Sequence, residues 1–105
     1  MLVSGLMRLV TQAGGTAMVL AKGDASAGAI LLVCTERGVF TSIQERILGM
    51  EGGYCWQPVG PDATQPLTEI DGYLARRRAG DHDMWLIELD IANAERFAAE
   101  TIAID

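Results

Sequence analysis

Hydrophobic residues recur at helical spacing in the first stretch: Leu2, Leu6, Leu9 and Ala13, with Val3, Met7 and Val10 beside them. This predicts a first helix, ended by Gly14-Gly15, because glycine takes the left-handed conformation of a helix C-terminus at no steric cost. Thr16 to Ala21 reads as a strand, and Lys22-Gly23-Asp24 as the start of a turn. Ala29 to Thr35 is almost continuously apolar, the pattern of a strand buried on both faces. Glu36-Arg37-Gly38 predicts a tight hairpin. The next strand runs from Val39 to Ile47, with Val39, Thr41, Ile43, Glu45 and Ile47 on one face.

Gly49 to Gly53 reads as a loop and Tyr54 to Val59 as a short strand. Pro58 marks that strand as an edge or an early stop, since proline cannot donate a ladder hydrogen bond. After the breaker Gly60-Pro61-Asp62, Pro66 suits the first turn of a second helix. Leu67, Ile70 and Leu74 with Tyr73 form its apolar stripe, and Gly80 closes it. Arg76, Arg77 and Arg78 oppose the negative end of its dipole. Met84 to Leu89 is a second strongly apolar strand. A last helix, about Ala92 to Ile102, would dock through Phe97, Ala98 and Ile102.

The order α-β-β-β-β-α-β-α predicts an α+β fold. We expect a two-layer domain, with helices packed on one face of a mostly antiparallel sheet of about five strands. Four successive strands would form an antiparallel meander, with the fifth returned to the sheet through the second helix. At 105 residues, without a linker, repeat or low-complexity tract, residues 1–105 are expected to form a single globular domain.

Composition narrows the function. Half the residues are hydrophobic (50%) and 21% are charged, which excludes wholesale disorder. The longest apolar run, Ala29 to Cys34, falls far short of a membrane helix. Met1 to Val10 lacks a basic leader region, and Arg8 interrupts its apolar stretch. A soluble cytoplasmic protein is expected. The net charge of −6 is uneven: residues 1–60 balance four basic against four acidic side chains, whereas residues 61–105 set four arginines against ten acids. That sign argues against nucleic acid and against an anionic membrane surface as partners.

Three segments, in this order and spacing, resemble a known family: Lys22-Gly23-Asp24-Ala25-Ser26-Ala27-Gly28 running into an apolar strand; Gly53-Tyr54-Cys55-Trp56 followed by Tyr73-Leu74-Ala75-Arg76-Arg77; and Asp81-His82-Asp83-Met84-Trp85-Leu86-Ile87-Glu88-Leu89. The chain is similar, from about Leu2 to Phe97, to the alphaproteobacterial proteins called domain of unknown function 1491. The resemblance implies a stand-alone bacterial cytoplasmic protein and brings no catalytic residues. Where that family has Asp-Pro-Asp before the tryptophan, this chain has Asp81-His82-Asp83. Proline cannot do histidine chemistry, so an essential role for His82 is not expected.

The residues themselves offer few sites. His82 between two aspartates reads as a solvated turn, with no second histidine to form a metal or proton-relay site. Ser26 lacks the Gly-x-Ser-x-Gly turn of a hydrolase nucleophile. Cys34 and Cys55 lack the paired spacing of zinc ligands and are expected to be buried thiols. Neither a metal nor a cofactor is expected. Arg76 to Arg78 fan around a helix end, and Glu88 and Asp90 are expected to pair with arginines. Trp85 is expected in the core.

Two candidate sites remain. Lys22, the sole lysine, with Gly23 and Asp24 forms a tentative ligand site: backbone N–H groups in such a turn can cradle an anion. Tyr54 and Trp56 project from the same strand face and form a candidate partner surface at an edge. The primary expectation is therefore a small non-enzymatic interaction or assembly module, a homodimer or a binder of another protein. The alternative is an anionic-ligand binding protein or enzyme with a pocket near the Lys22–Gly28 turn.

Overall fold

The computed structural model describes residues 2–24, 29–50 and 52–102. The chain runs α1 (Leu2–Gln12), β1 (Thr16–Ala21), β2 (Ile30–Glu36), β3 (Val39–Leu48), β4 (Tyr54–Val59), α2 (Leu67–Gly80), β5 (Trp85–Asp90) and α3 (Ala94–Ile102). This is an α+β fold on one five-stranded sheet in the order β1-β5-β2-β3-β4. Only the β2–β5 pair is parallel among the four pairings; the others are antiparallel.

The expected four-strand meander is therefore shortened to β2-β3-β4, because β5 inserts between β1 and β2. Burial accounts for the order. β2 and β5 are the two most apolar strands and sit side by side, buried over nearly their whole length. Short, largely exposed β1 is left at the margin.

The sheet has two unlike faces. Ile30, Leu32 and Cys34 of β2 and Trp85, Ile87 and Leu89 of β5 alternate onto the face covered by α1 and α3. There they meet Val3, Leu6 and Val10 of α1, spaced along one helical stripe, and Ala94 and Ala98 of α3. Phe97 packs against the same core, as expected; the side chain of Ile102 lies outside the described residues. Leu31, Met84, Leu86 and Ile43 turn the other way, onto α2, which buries only Ile70 fully and adds Tyr73 and Leu74. Helices thus cover both faces, where the sequence suggested one, and the second cover is thin.

Local irregularities set the register. Arg37 (φ 53°) and Gly38 (φ 80°) make the two-residue turn between β2 and β3, of the type whose twist matches paired strands. Asp90 Oδ1 and Oδ2 accept the N–H groups of Arg37 and Gly38, each at 2.8 Å. The expected arginine pairing of Asp90 is replaced by these backbone bonds. The Gly38 N–H, with further help from Arg37 and Thr35 and against the effect of burial, holds the Asp90 carboxyl below the usual range. A register shift opposite Cys34 and Thr35 moves Val39 and Thr41 off the face that carries Ile43, Glu45 and Ile47. Thr41 instead donates to Glu95 of α3.

No helix among the described residues is long and apolar enough to cross a membrane.

Candidate interaction surface

β4 is an edge strand, as Pro58 suggests, and pairs with β3 from Ile43–Val59 to Leu48–Tyr54. The hairpin closes through Gly49 to Gly53, whose N–H and carbonyl meet at 2.6 Å, with a second bond from Gly52 to Gly49 at 3.1 Å. Around this end the side chains are exposed and apolar: Leu48 is 63% exposed, Tyr54 54%, and Met50 fully so. Gly49, Met50, Gly53, Tyr54 and Cys55 line an open depression of about 480 Å³. The Arg46 guanidinium lies 3.8 Å from the centroid of the Tyr54 ring. That cation–π contact holds the ring in place while its other side remains open.

Tyr54 and Trp56 share a face, as expected, but not a role. Trp56 lies further along β4, under α3: it packs against the main core and its Nε1 donates to the Ala98 carbonyl at 3.0 Å. Tyr54 lies beyond that cover and is open. Only Tyr54 of the pair is a surface residue.

At the other end of β3, near its turn from β2, a polar seam ties β3 to α3. Thr41 Oγ1 and Ser42 Oγ donate to Glu95 Oε1 at 2.5 and 2.8 Å, and Gln44 Nε2 donates to Ser42 Oγ at 2.8 Å. Burial works to raise the Glu95 carboxyl, yet the bonds from Thr41, its own backbone N–H and Ser42 leave it below the usual range. The neighbouring Cys34 thiol is pushed up to about 12, chiefly by burial and then by the Glu95 charge, with Ser42 opposing. Cys34 is thus a neutral, buried thiol. Cys55 is exposed, contrary to expectation, because it sits on the outer strand near the hairpin end.

The Lys22–Asp24 segment is fastened to the start of β5. The Asp24 N–H donates to the Asp83 carbonyl at 2.9 Å, and Trp85 Nε1 donates to the Asp24 carbonyl at 2.8 Å. Arg78 Nη1 bonds the Lys22 carbonyl at 3.1 Å. A Cβ on Gly23 would fall 2.2 Å from the Asp83 carbonyl oxygen, so the close approach requires glycine. The Lys22 residue is exposed, but the Asp24 donor is committed within the chain. Ser26 and Gly28 lie outside the described residues.

The other candidates resolve structurally. His82 is exposed in a turn where Asp81 Oδ1 accepts the Asp83 N–H at 3.0 Å. Arg77 forms a salt bridge to Glu45 at 2.7 Å and bonds the Tyr73 hydroxyl at 2.7 Å, which raises its pKa, the Glu45 bond foremost. Arg78 caps the Met84 carbonyl at 2.5 Å. Trp85 is buried, as expected. Among the described residues, no group of three or more His, Cys, Asp or Glu could hold a metal ion.

Leu48, Met50 and Arg46 were not singled out from the sequence. The signal was there: Ile47, Leu48 and Met50 crowd apolar side chains into a segment that ends in glycines, where a two-residue alternation cannot bury them all.

The fold and this surface together describe a small α+β protein whose exposed apolar residues gather at one hairpin end. Three solved structures share the fold. A DUF1491 family protein from Caulobacter crescentus CB15, in its crystal structure, is 27% identical with a TM-score of 0.77, covering 90% of this chain and 88% of that one. The NMR structure of a DUF1491 family protein from Caulobacter crescentus CB15 is 30% identical with a TM-score of 0.71, covering 90% and 86%. Protein Atu0922 from A. tumefaciens, in solution, is 28% identical with a TM-score of 0.64, covering 86% and 81%. None of the curated proteins matches the chain. The family model described as protein of unknown function (DUF1491) matches residues 1–99. The chain belongs to the DUF1491 family.

Proposed function

We propose that the protein is a non-enzymatic, cytoplasmic interaction module that docks another polypeptide on the end of the β3–β4 hairpin. The observation that carries this reading is the clustering of Leu48, Met50 and Tyr54, all more than half exposed, around one open depression. An aromatic ring held by an arginine, with Leu48 opposite it on β3 and Met50 in the same depression, presents a large contact area at little cost in side-chain entropy. The net charge of −6 disfavours nucleic acid in this role and favours a protein partner with basic residues around an apolar centre. Cys34 and Cys55, both free, suit a reducing compartment.

Cys55 supplies the test, because it lies in the depression and is exposed while Cys34 is buried. A photo-crosslinker attached to Cys55 should join the protein to one polypeptide species in lysate of its own host. The same adduct should vanish in a Leu48→Ser, Tyr54→Ser variant that remains folded. Crosslinking that is unchanged by those substitutions, or that yields no discrete species, would overturn the reading. The alternative, an anionic ligand at Lys22, Gly23 and Asp24, has less support, since the Asp24 N–H already bonds Asp83.

A further inference from the structure

We infer that β1, the opposite edge of the sheet, pairs with β1 of a second copy of this chain. β1 reads Thr-Ala-Met-Val-Leu-Ala, with neither a charge nor a proline, and Met18, Val19 and Leu20 are 59%, 39% and 44% exposed. An edge strand of that composition is the kind that proteins ordinarily protect with charge, proline or a covering element. Here β5 pairs one side of β1 and α1 packs on one face, while among the described residues no further strand lies on the outer side. The register shift at Leu20 interrupts only the end of the strand.

Charge selects the occupant. The chain carries a net charge of −6, yet residues 1–23 contain no acid, and their only charged side chains are Arg8 and Lys22. Two copies can join these strands with no carboxylate on either strand; the nearest acids, Glu88 and Asp90 of β5, stand one strand further back in each copy. The arrangement is also self-complementary, as a two-fold interface must be. Antiparallel pairing centred on Met18 sets Met18 against its own copy and Thr16 against Leu20. The two sheets then continue as one. The hairpin end, at the far edge of the sheet, remains free for a partner.

Sedimentation velocity over a wide concentration range tests this. The wild-type protein should sediment with the mass of two chains. Met18→Lys, at a site already exposed, should give one chain with its thermal unfolding retained, and Tyr54→Ala should still give two. A one-chain mass for wild type at every concentration, a two-chain mass surviving Met18→Lys, or a dimer abolished by Tyr54→Ala instead would each overturn the inference. Amide hydrogen exchange reads the same edge without substitution: β1 amides should be protected at high concentration and lose that protection on dilution. Equal exchange at both concentrations would also overturn it.

Discussion

β4 and β1 both border the sheet, but they leave different things open. At β4, Pro58 interrupts the outer backbone and α3 clamps Trp56, so what faces outward is a set of side chains at the hairpin end. At β1 there is neither proline nor charge, and the backbone edge itself is open beside Met18 and Val19. Side chains held in place can recognise a particular surface. A bare backbone edge can only add another strand. The difference teaches that the two borders of one small sheet offer different chemical groups, side chains at one and backbone at the other, so the two proposed contacts would not compete.

The comparison can be broken at several points. The largest contrast concerns the thiols. Burial, with the pKa pushed up to about 12, keeps central-strand Cys34 as the unreactive thiol at neutral pH. Alkylation of the folded protein should modify Cys55 and spare Cys34, whereas denaturant should expose both; mass spectrometry of the labelled chain reads the number. Reaction of both at equal rates in the native protein would contradict the burial of β2.

Next comes the division of labour within β4. Trp56→Ala removes a packed ring and the bond to Ala98 and should lower stability by about 3 kcal/mol. Tyr54→Ala, two residues away, should cost less than about 1 kcal/mol. Chemical denaturation of the two variants checks the ratio.

Glycines at the two ends sharpen the contrast further. Gly23→Ala, just past β1, places a Cβ 2.2 Å from the Asp83 carbonyl and should cost about 2 kcal/mol or more. Gly53→Ala at the hairpin end, with nothing within 4 Å of a Cβ, should leave the unfolding temperature nearly unchanged.

The smallest effect is acid sensitivity along the β3–α3 seam. The folded Glu95 carboxyl lies below its unfolded value, so its contribution is fully present above the ordinary glutamate range and is lost as pH falls through the lower, folded value. Thr41→Val with Ser42→Ala should flatten that part of the stability profile between neutral pH and about pH 3. An unaltered profile would place the acid-sensitive group elsewhere.

Most of the elements were legible in the sequence because their signals are local. The spacing of Val3, Leu6 and Val10, the apolar run through β2 and the Arg37-Gly38 turn each depend on neighbours a few residues away. Strand order was not legible in that way. Placing β5 between β1 and β2 is decided by how two distant apolar strands bury each other, and a turn-by-turn reading joins neighbours instead. The register shift that moves Thr41 to Glu95 is equally nonlocal. Alternation correctly put Tyr54 and Trp56 on one face. It could not say that α3 covers one and stops short of the other, since that depends on a helix some forty residues further on.

The account rests on the hairpin end as a docking surface, and native mass spectrometry tests it most directly. The protein, gently captured from its own host, would be compared with the Leu48→Ser, Tyr54→Ser variant prepared in the same way. The account predicts that wild type carries the added mass of a distinct polypeptide and that the variant, folded and in the same chain stoichiometry, does not. Wild type free of any added polypeptide, or a variant that keeps it, would contradict the account.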